Sequence, residues 1–243
     1  MTSATRPARA STGRLTQFAS STVGKKVAMA VTGLIMAGFL VMHATANLLA
    51  FAGPEHINAY SRLLHSAPEL LWAARAVLLV SVVVHATAAL QLTRSSAAAR
   101  PTAYDKRESQ VATVAARTIR WFSLLVALFI VIHLLHFTTG DLLPGFIDGN
   151  PYANLVGAFG TQRIMAAFYL VMMIVVGLHL YHGTWSAIRT LGLSRPRPNP
   201  FVRPVATTLA VVLWLGFTAV PVGVLIGAIG TDATHDATAS SNR

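Results

Sequence analysis

The chain has 243 residues, 54% hydrophobic and only 11% charged, and a mean hydropathy of +0.58, which puts it on the membrane side of the usual globular mix. It contains no cysteine, which excludes disulfides, thiolate-held iron–sulfur clusters and cysteine nucleophiles. Any redox centre must be held by histidine, methionine or oxygen ligands, or sit on another subunit. The formal net charge of +11 is no nucleic-acid signature, because the basic residues cluster at the ends of apolar runs.

Residues 1–26 are polar and rich in small residues, with Arg6, Arg9, Arg14, Lys25 and Lys26. They read as a cytoplasmic N-terminal tail that closes on a short interfacial stretch. The apolar run that follows is too long for a signal-peptide core, and further spans come after it, so it reads as a membrane helix. This first span covers about 27–52 and carries His43. Its Gly33 and Gly38 leave room for close packing against a neighbour or a flat ligand. Gly53-Pro54 ends it. The segment 55–68 is too polar to span and reads as a short surface helix.

The second span, about 70–93, holds Arg75 near its start and His85 near its end. A basic segment, 94–118, leads to the third, about 121–138, with His133 and His136. Residues 140–162 are rich in Gly, Pro, Asn and Asp and are expected to form a loop. The fourth span, about 164–188, carries His179 and His182. A basic, proline-rich linker precedes the fifth, about 205–229, which has no histidine and is expected to kink at Pro221. The tail from 230 to 243 is polar. The expected architecture is an all-α membrane protein, a five-transmembrane-helix bundle over 27–229, since each run has the length a hydrocarbon core requires.

Basic residues set the orientation. The N-terminus, the 94–120 segment and the 189–203 linker hold most of them, against Arg62, Arg163 and Arg243 on the other side. The positive-inside rule puts the N-terminus in the cytoplasm and the C-terminus outside.

Histidine inside a membrane span is rare and points to a functional site. Its depth follows from the rise of about 1.5 Å per residue, counted from the nearest cytoplasmic basic residue. On that count His43 lies about 25 Å in and His133 about 20 Å, whereas His85 lies about 13 Å and His179 about 15 Å. Two levels result, an outer one with His43 and His133 and an inner one with His85 and His179. Two histidines at one depth on different helices can clamp one haem iron from both faces, and two such pairs set two haems in a column. Depth leaves alternatives open: His136 at about 24 Å also suits His43, and His182 at about 10 Å also suits His85. The i, i+3 spacing of His133/His136 and His179/His182 could serve zinc or di-iron, but no Asp or Glu lies mid-span to complete such a site. A proton pump would also need a mid-membrane carboxylate, whereas electron transfer through haems needs none. His56, His65 and His235 read as surface or loop residues.

The motifs VMHATANLLAF around His43, INAYSRLLHSAPELL followed by VVVHATAALQLT around His85, RWFSLLVALFIVIHLLHFT around His133, and GLHLYHGTWSAIRTLG around His179 come in a specific order and spacing. Over about residues 25–221 the chain resembles the dihaem cytochrome b membrane-anchor subunit of succinate dehydrogenase and fumarate reductase, the single-subunit cytochrome b558 family. The resemblance implies His43 and His133 as ligands of an outer haem b, and His85 and His179 as ligands of an inner one. The family places its third ligand 13 residues after an arginine, a spacing that Arg120 and His133 reproduce. Its fourth ligand precedes a G-x-W-S stretch, here Gly183 to Ser186, which favours His179 over His182. Some relatives carry a glutamate two residues before that ligand, where this chain has Gly177.

The resemblance further implies a flavoprotein subunit and an iron–sulfur subunit as partners, and a quinone, menaquinone first, as the electron acceptor. It implies a bacterial cytoplasmic membrane and a place in respiratory complex II and the tricarboxylic acid cycle, and it admits a higher oligomer. Arg75, Arg163 and Arg120 are candidate partners for haem propionates, and Tyr60, Ser61 and Arg62 are candidates for an outer quinone site. The cytoplasmic basic segments suit a peripheral subunit and anionic lipid. The competing readings are the bis-histidine cytochrome b of a formate dehydrogenase or hydrogenase, and a haem-free anchor or transporter.

Overall fold

A computed structural model describes residues 13–99, 114–193 and 200–230. Residues 1–12 of the N-terminal tail, the 100–113 segment with Lys106 and Arg107, part of the last linker, His235 and nearly all of the C-terminal tail lie outside the described residues. The described residues are almost wholly helical and contain no strand. Five helices are long and apolar enough to cross a membrane.

The short helix α1 (Arg14–Ser20) turns at Ser21, whose hydroxyl accepts the Gly24 amide at 3.0 Å and so caps α2 (Thr22–Leu48). A 3₁₀ turn over Leu49–Ala52 extends α2. Gly53, at φ +101°, stops it in a conformation that a residue with a side chain would adopt under strain. Pro54 and Pro68 then open α3 (Pro54–His65) and α4 (Pro68–Ala98), where their missing amides cost nothing. α5 runs over Val114–Phe137. α7 (Arg163–Thr190) ends at Gly192 in a left-handed turn, with the Leu193 amide returned to the Ile188 carbonyl at 3.1 Å.

Two stretches depart from the sequence reading. Residues 140–162 are not a loop throughout, because Pro151–Thr161 forms a helix, α6. Asn150 caps it by accepting the Ala153 amide at 3.1 Å, and Pro151 starts it. Composition points to a loop because these same Asn and Pro residues are turn formers elsewhere. α8 (Val202–Leu225) passes through Pro221, then stops short of the expected end at Gly227, which has φ +79°.

Small residues set the packing. Ala30, Ala37 and Ala44 recur every seven residues on α2 and are all buried, as are Ser81 and Ala88 on α4. Such a stripe lets helix backbones approach closely, which is how spanning helices associate without a hydrophobic drive between them. α2 packs on α4, α7 and α8, α7 packs on α8, and α5 packs on α7. One end of the bundle is capped by α3, α6 and the 138–150 turns, whose apolar core includes Ile57, Leu143, Leu155, Phe159 and Val224. Asparagines tie this cap together. Asn58 donates to the Asn150 side chain at 3.0 Å and accepts the Tyr152 amide at 3.2 Å, and Asn154 exchanges two 2.9 Å hydrogen bonds with the Ile147 backbone.

Candidate bis-imidazole sites

Four of the five spanning helices contribute one histidine each to two ring pairs. The His43 and His133 ring centroids, from α2 and α5, are 5.8 Å apart. Those of His85 and His179, from α4 and α7, are 6.3 Å apart. Counting depth along the sequence puts these same residues on common levels.

Each pair bridges helices that barely pack on one another. α2 has at most marginal backbone contact with α5, and so does α4 with α7. α4 and α5 are also the least buried of the five spans.

The outer pair, nearer the capped end, lies among aromatic rings. His43 stacks on Phe39 at 5.3 Å and meets Phe217 at 5.7 Å. His133 lies between Phe129 at 5.8 Å and Phe137 at 5.7 Å. The hydroxyl of Tyr169, on α7, is 3.5 Å from His133 Nδ1 and 3.1 Å from His136 Nδ1. His136 is fully enclosed, at 0% exposure, and its Nε2 has no hydrogen-bond partner.

The inner pair leans on backbone. His85 Nδ1 lies 2.9 Å from the Met29 carbonyl and 3.4 Å from the Thr32 hydroxyl. A carbonyl only accepts, so Nδ1 carries the proton and Nε2 keeps its lone pair. Gly33 makes this approach possible: a Cβ there would stand 3.2 Å from His85 Cε1. Gly38, the other glycine singled out in α2, has open space around it. On α7, the Nδ1 atoms of His179 and His182 are buried without partners, and His182 sits edge-on to Trp185. Gly177 faces Trp214 of α8.

These features fit two bis-imidazole haems. With a metal–nitrogen bond of about 2 Å on each side and ring centres about 1 Å beyond, two axial imidazoles have centroids about 6 Å apart. His85 already has the tautomer in which Nε2 is free, held by the outer-sphere bond to carbonyl that axial histidines commonly make. No group of three or more His, Cys, Asp or Glu comes together among the described residues. A haem asks the protein for only two axial nitrogens.

The remaining sequence candidates stand apart from the rings. Arg75, Arg120 and Arg163 are exposed, with the Arg75 guanidinium 5.0 Å over Trp72. Tyr60 and Ser61 are half-buried and Arg62 exposed on α3, at the capped end. His56 and His65 are exposed. At the opposite end Lys26 and Arg189 line a recess with Trp185, over which the Arg189 and Arg203 guanidinium groups lie at 5.2 and 6.0 Å. Tyr169 is the residue that sequence reasoning did not single out. The only signal was a hydroxyl inside an apolar span, which needs a partner.

No family model matches the chain, and neither a curated protein nor a solved structure matches it.

Proposed function

We propose that the chain is the membrane-anchor cytochrome b subunit of a succinate:quinone oxidoreductase, passing electrons from an iron–sulfur subunit through two b haems to menaquinone or another quinone. One observation carries the reading: two imidazole pairs, from four spanning helices, meet at 5.8 and 6.3 Å, and within each pair the two helices otherwise barely touch. His43 and His133 would hold the outer haem, and His85 and His179 the inner one. A bound haem supplies a one-electron couple whose potential the protein sets. The chain's own residues do the rest. Phe39, Phe129, Phe137 and Phe217 keep water from the outer pair, and the Met29 carbonyl orients His85.

In this reading the end bearing Lys26, Arg94, Arg120, Arg189 and Arg203 faces the cytoplasm of a bacterium. Its basic surface receives the iron–sulfur subunit, with the flavoprotein beyond it, and the adjoining anionic lipid. Electrons reach the inner pair first and then the outer pair.

The test is a reduced-minus-oxidised visible spectrum of the purified protein, with haem quantified per chain. Two low-spin b haems per chain are expected, in a preparation that also contains flavin and oxidises succinate. Two haems without those partners would shift the assignment to the anchor of a formate dehydrogenase or hydrogenase. A colourless protein would overturn the cytochrome reading in favour of a haem-free anchor or transporter.

A further inference from the structure

Tyr169 stands between two histidines that belong to no common pair. Its ring is buried against Phe129, Phe137, Phe159 and Phe168. That aromatic cluster leaves the hydroxyl little freedom, and its only described partners are His136 Nδ1 at 3.1 Å and His133 Nδ1 at 3.5 Å. A phenol has one proton to donate and lone pairs to accept with. It cannot donate to both rings, so satisfying all three groups requires a directed chain.

We infer that Tyr169 is the positioning residue of the outer pair: it accepts the His133 Nδ1 proton and donates its own to His136 Nδ1, which fixes the tautomer of both rings. The inference rests on the bis-imidazole reading of His133. Ligation needs a lone pair on His133 Nε2, so its proton sits on Nδ1 and points to the phenol oxygen. The phenol proton then goes to the shorter contact, His136 Nδ1. His136 accordingly carries its own proton on Nε2, the buried nitrogen that has no partner.

The inner pair offers the natural control. There the equivalent bond goes from His85 to the Met29 carbonyl, which no side-chain substitution at position 29 removes. A donor bond from Nδ1 makes an axial imidazole a stronger electron donor and favours the ferric haem. Losing it raises the reduction potential. Donation from Tyr169 to His136 should polarise the phenol oxygen and strengthen its bond from His133.

The test is Tyr169→Phe, which keeps the ring and removes only the hydroxyl. Spectroelectrochemistry and low-temperature electron paramagnetic resonance are run on the intact complex. In the wild type, two resolved haem potentials establish the bis-imidazole reading itself, and their absence would sink that reading before this one is reached. In Tyr169→Phe the expected result is two haems per chain, an outer potential moved upward, a shifted outer ferric signal and an unmoved inner potential. His136→Ala is expected to move the outer potential the same way by a smaller amount, and it serves as the reading if Tyr169→Phe does not assemble. Phe137→Leu disturbs the packing around the same rings but leaves the hydroxyl in place. An unchanged outer potential and signal in Tyr169→Phe, or in His136→Ala where it is the reading, would overturn the inference. So would an equal shift in Phe137→Leu, which would assign the effect to packing.

Discussion

The two imidazole pairs are built from different materials. The outer pair sits among side chains: four phenylalanines touch its rings, and a tyrosine hydroxyl approaches His133. In the inner pair His85 is set by the backbone of one helix, through the Met29 carbonyl and the missing side chain of Gly33. A backbone carbonyl is not removed by changing its own side chain. Side chains can be exchanged, so the outer pair is the one whose electronic environment substitution can tune. The same contrast appears in the packing, since the outer pair adjoins the asparagine-tied cap whereas the inner pair lies toward the end where the spans meet their basic termini.

Ligand removal breaks the comparison most completely. His85→Ala is expected to halve the haem per chain, leave the outer signal, and abolish succinate-to-quinone electron transfer; pyridine haemochrome analysis and quinone reduction measure both. Normal quinone reduction in that variant would refute the electron path. On the other side, His133→Ala is expected to halve the haem by removing the outer centre alone, whereas His136→Ala keeps two haems per chain. Full haem retention by His133→Ala would reopen the choice between those two histidines.

A gentler change probes the backbone side of the contrast. Gly33→Val places branched carbon where a Cβ alone would come 3.2 Å from the His85 ring. It should lower inner-haem occupancy while sparing the outer haem. Gly38→Ala, with open space around the glycine, should leave both haem signals intact, and loss of either in that variant would contradict the structural distinction between two glycines of one helix.

The smallest effect is expected at the cap. Asn154→Ala removes two 2.9 Å hydrogen bonds to the Ile147 backbone from a buried position, at a cost of about 1–3 kcal/mol. Thermal unfolding in detergent should come at lower temperature, with the inner haem spectrum unchanged. An altered inner spectrum would mean that the cap and the inner pair are coupled.

Much of this was legible along the chain because membrane spans obey strong one-dimensional rules. Length, apolarity and the placement of arginines define where helices lie, and a fixed rise per residue turns position into depth. Depth alone put His43 level with His133 and His85 level with His179. It could not separate His133 from His136, because a three-residue difference is smaller than the uncertainty from helix tilt. Rotation about the helix axis decides that, and rotation depends on which neighbours a helix has. The helix at Pro151–Thr161 was missed for a related reason, since its Asn and Pro mark a helix start only when the following residues have a core to bury in.

The sequence by itself therefore determined that this is a five-span bundle with histidines at two levels, since those properties follow from composition and rise along single helices. Only the tertiary structure decided that each ring pair bridges two helices with little other contact between them, that Gly33 rather than Gly38 receives an imidazole, and that Tyr169 lies between His133 and His136. Those are contacts between residues 33 to 94 positions apart, and no local periodicity encodes them.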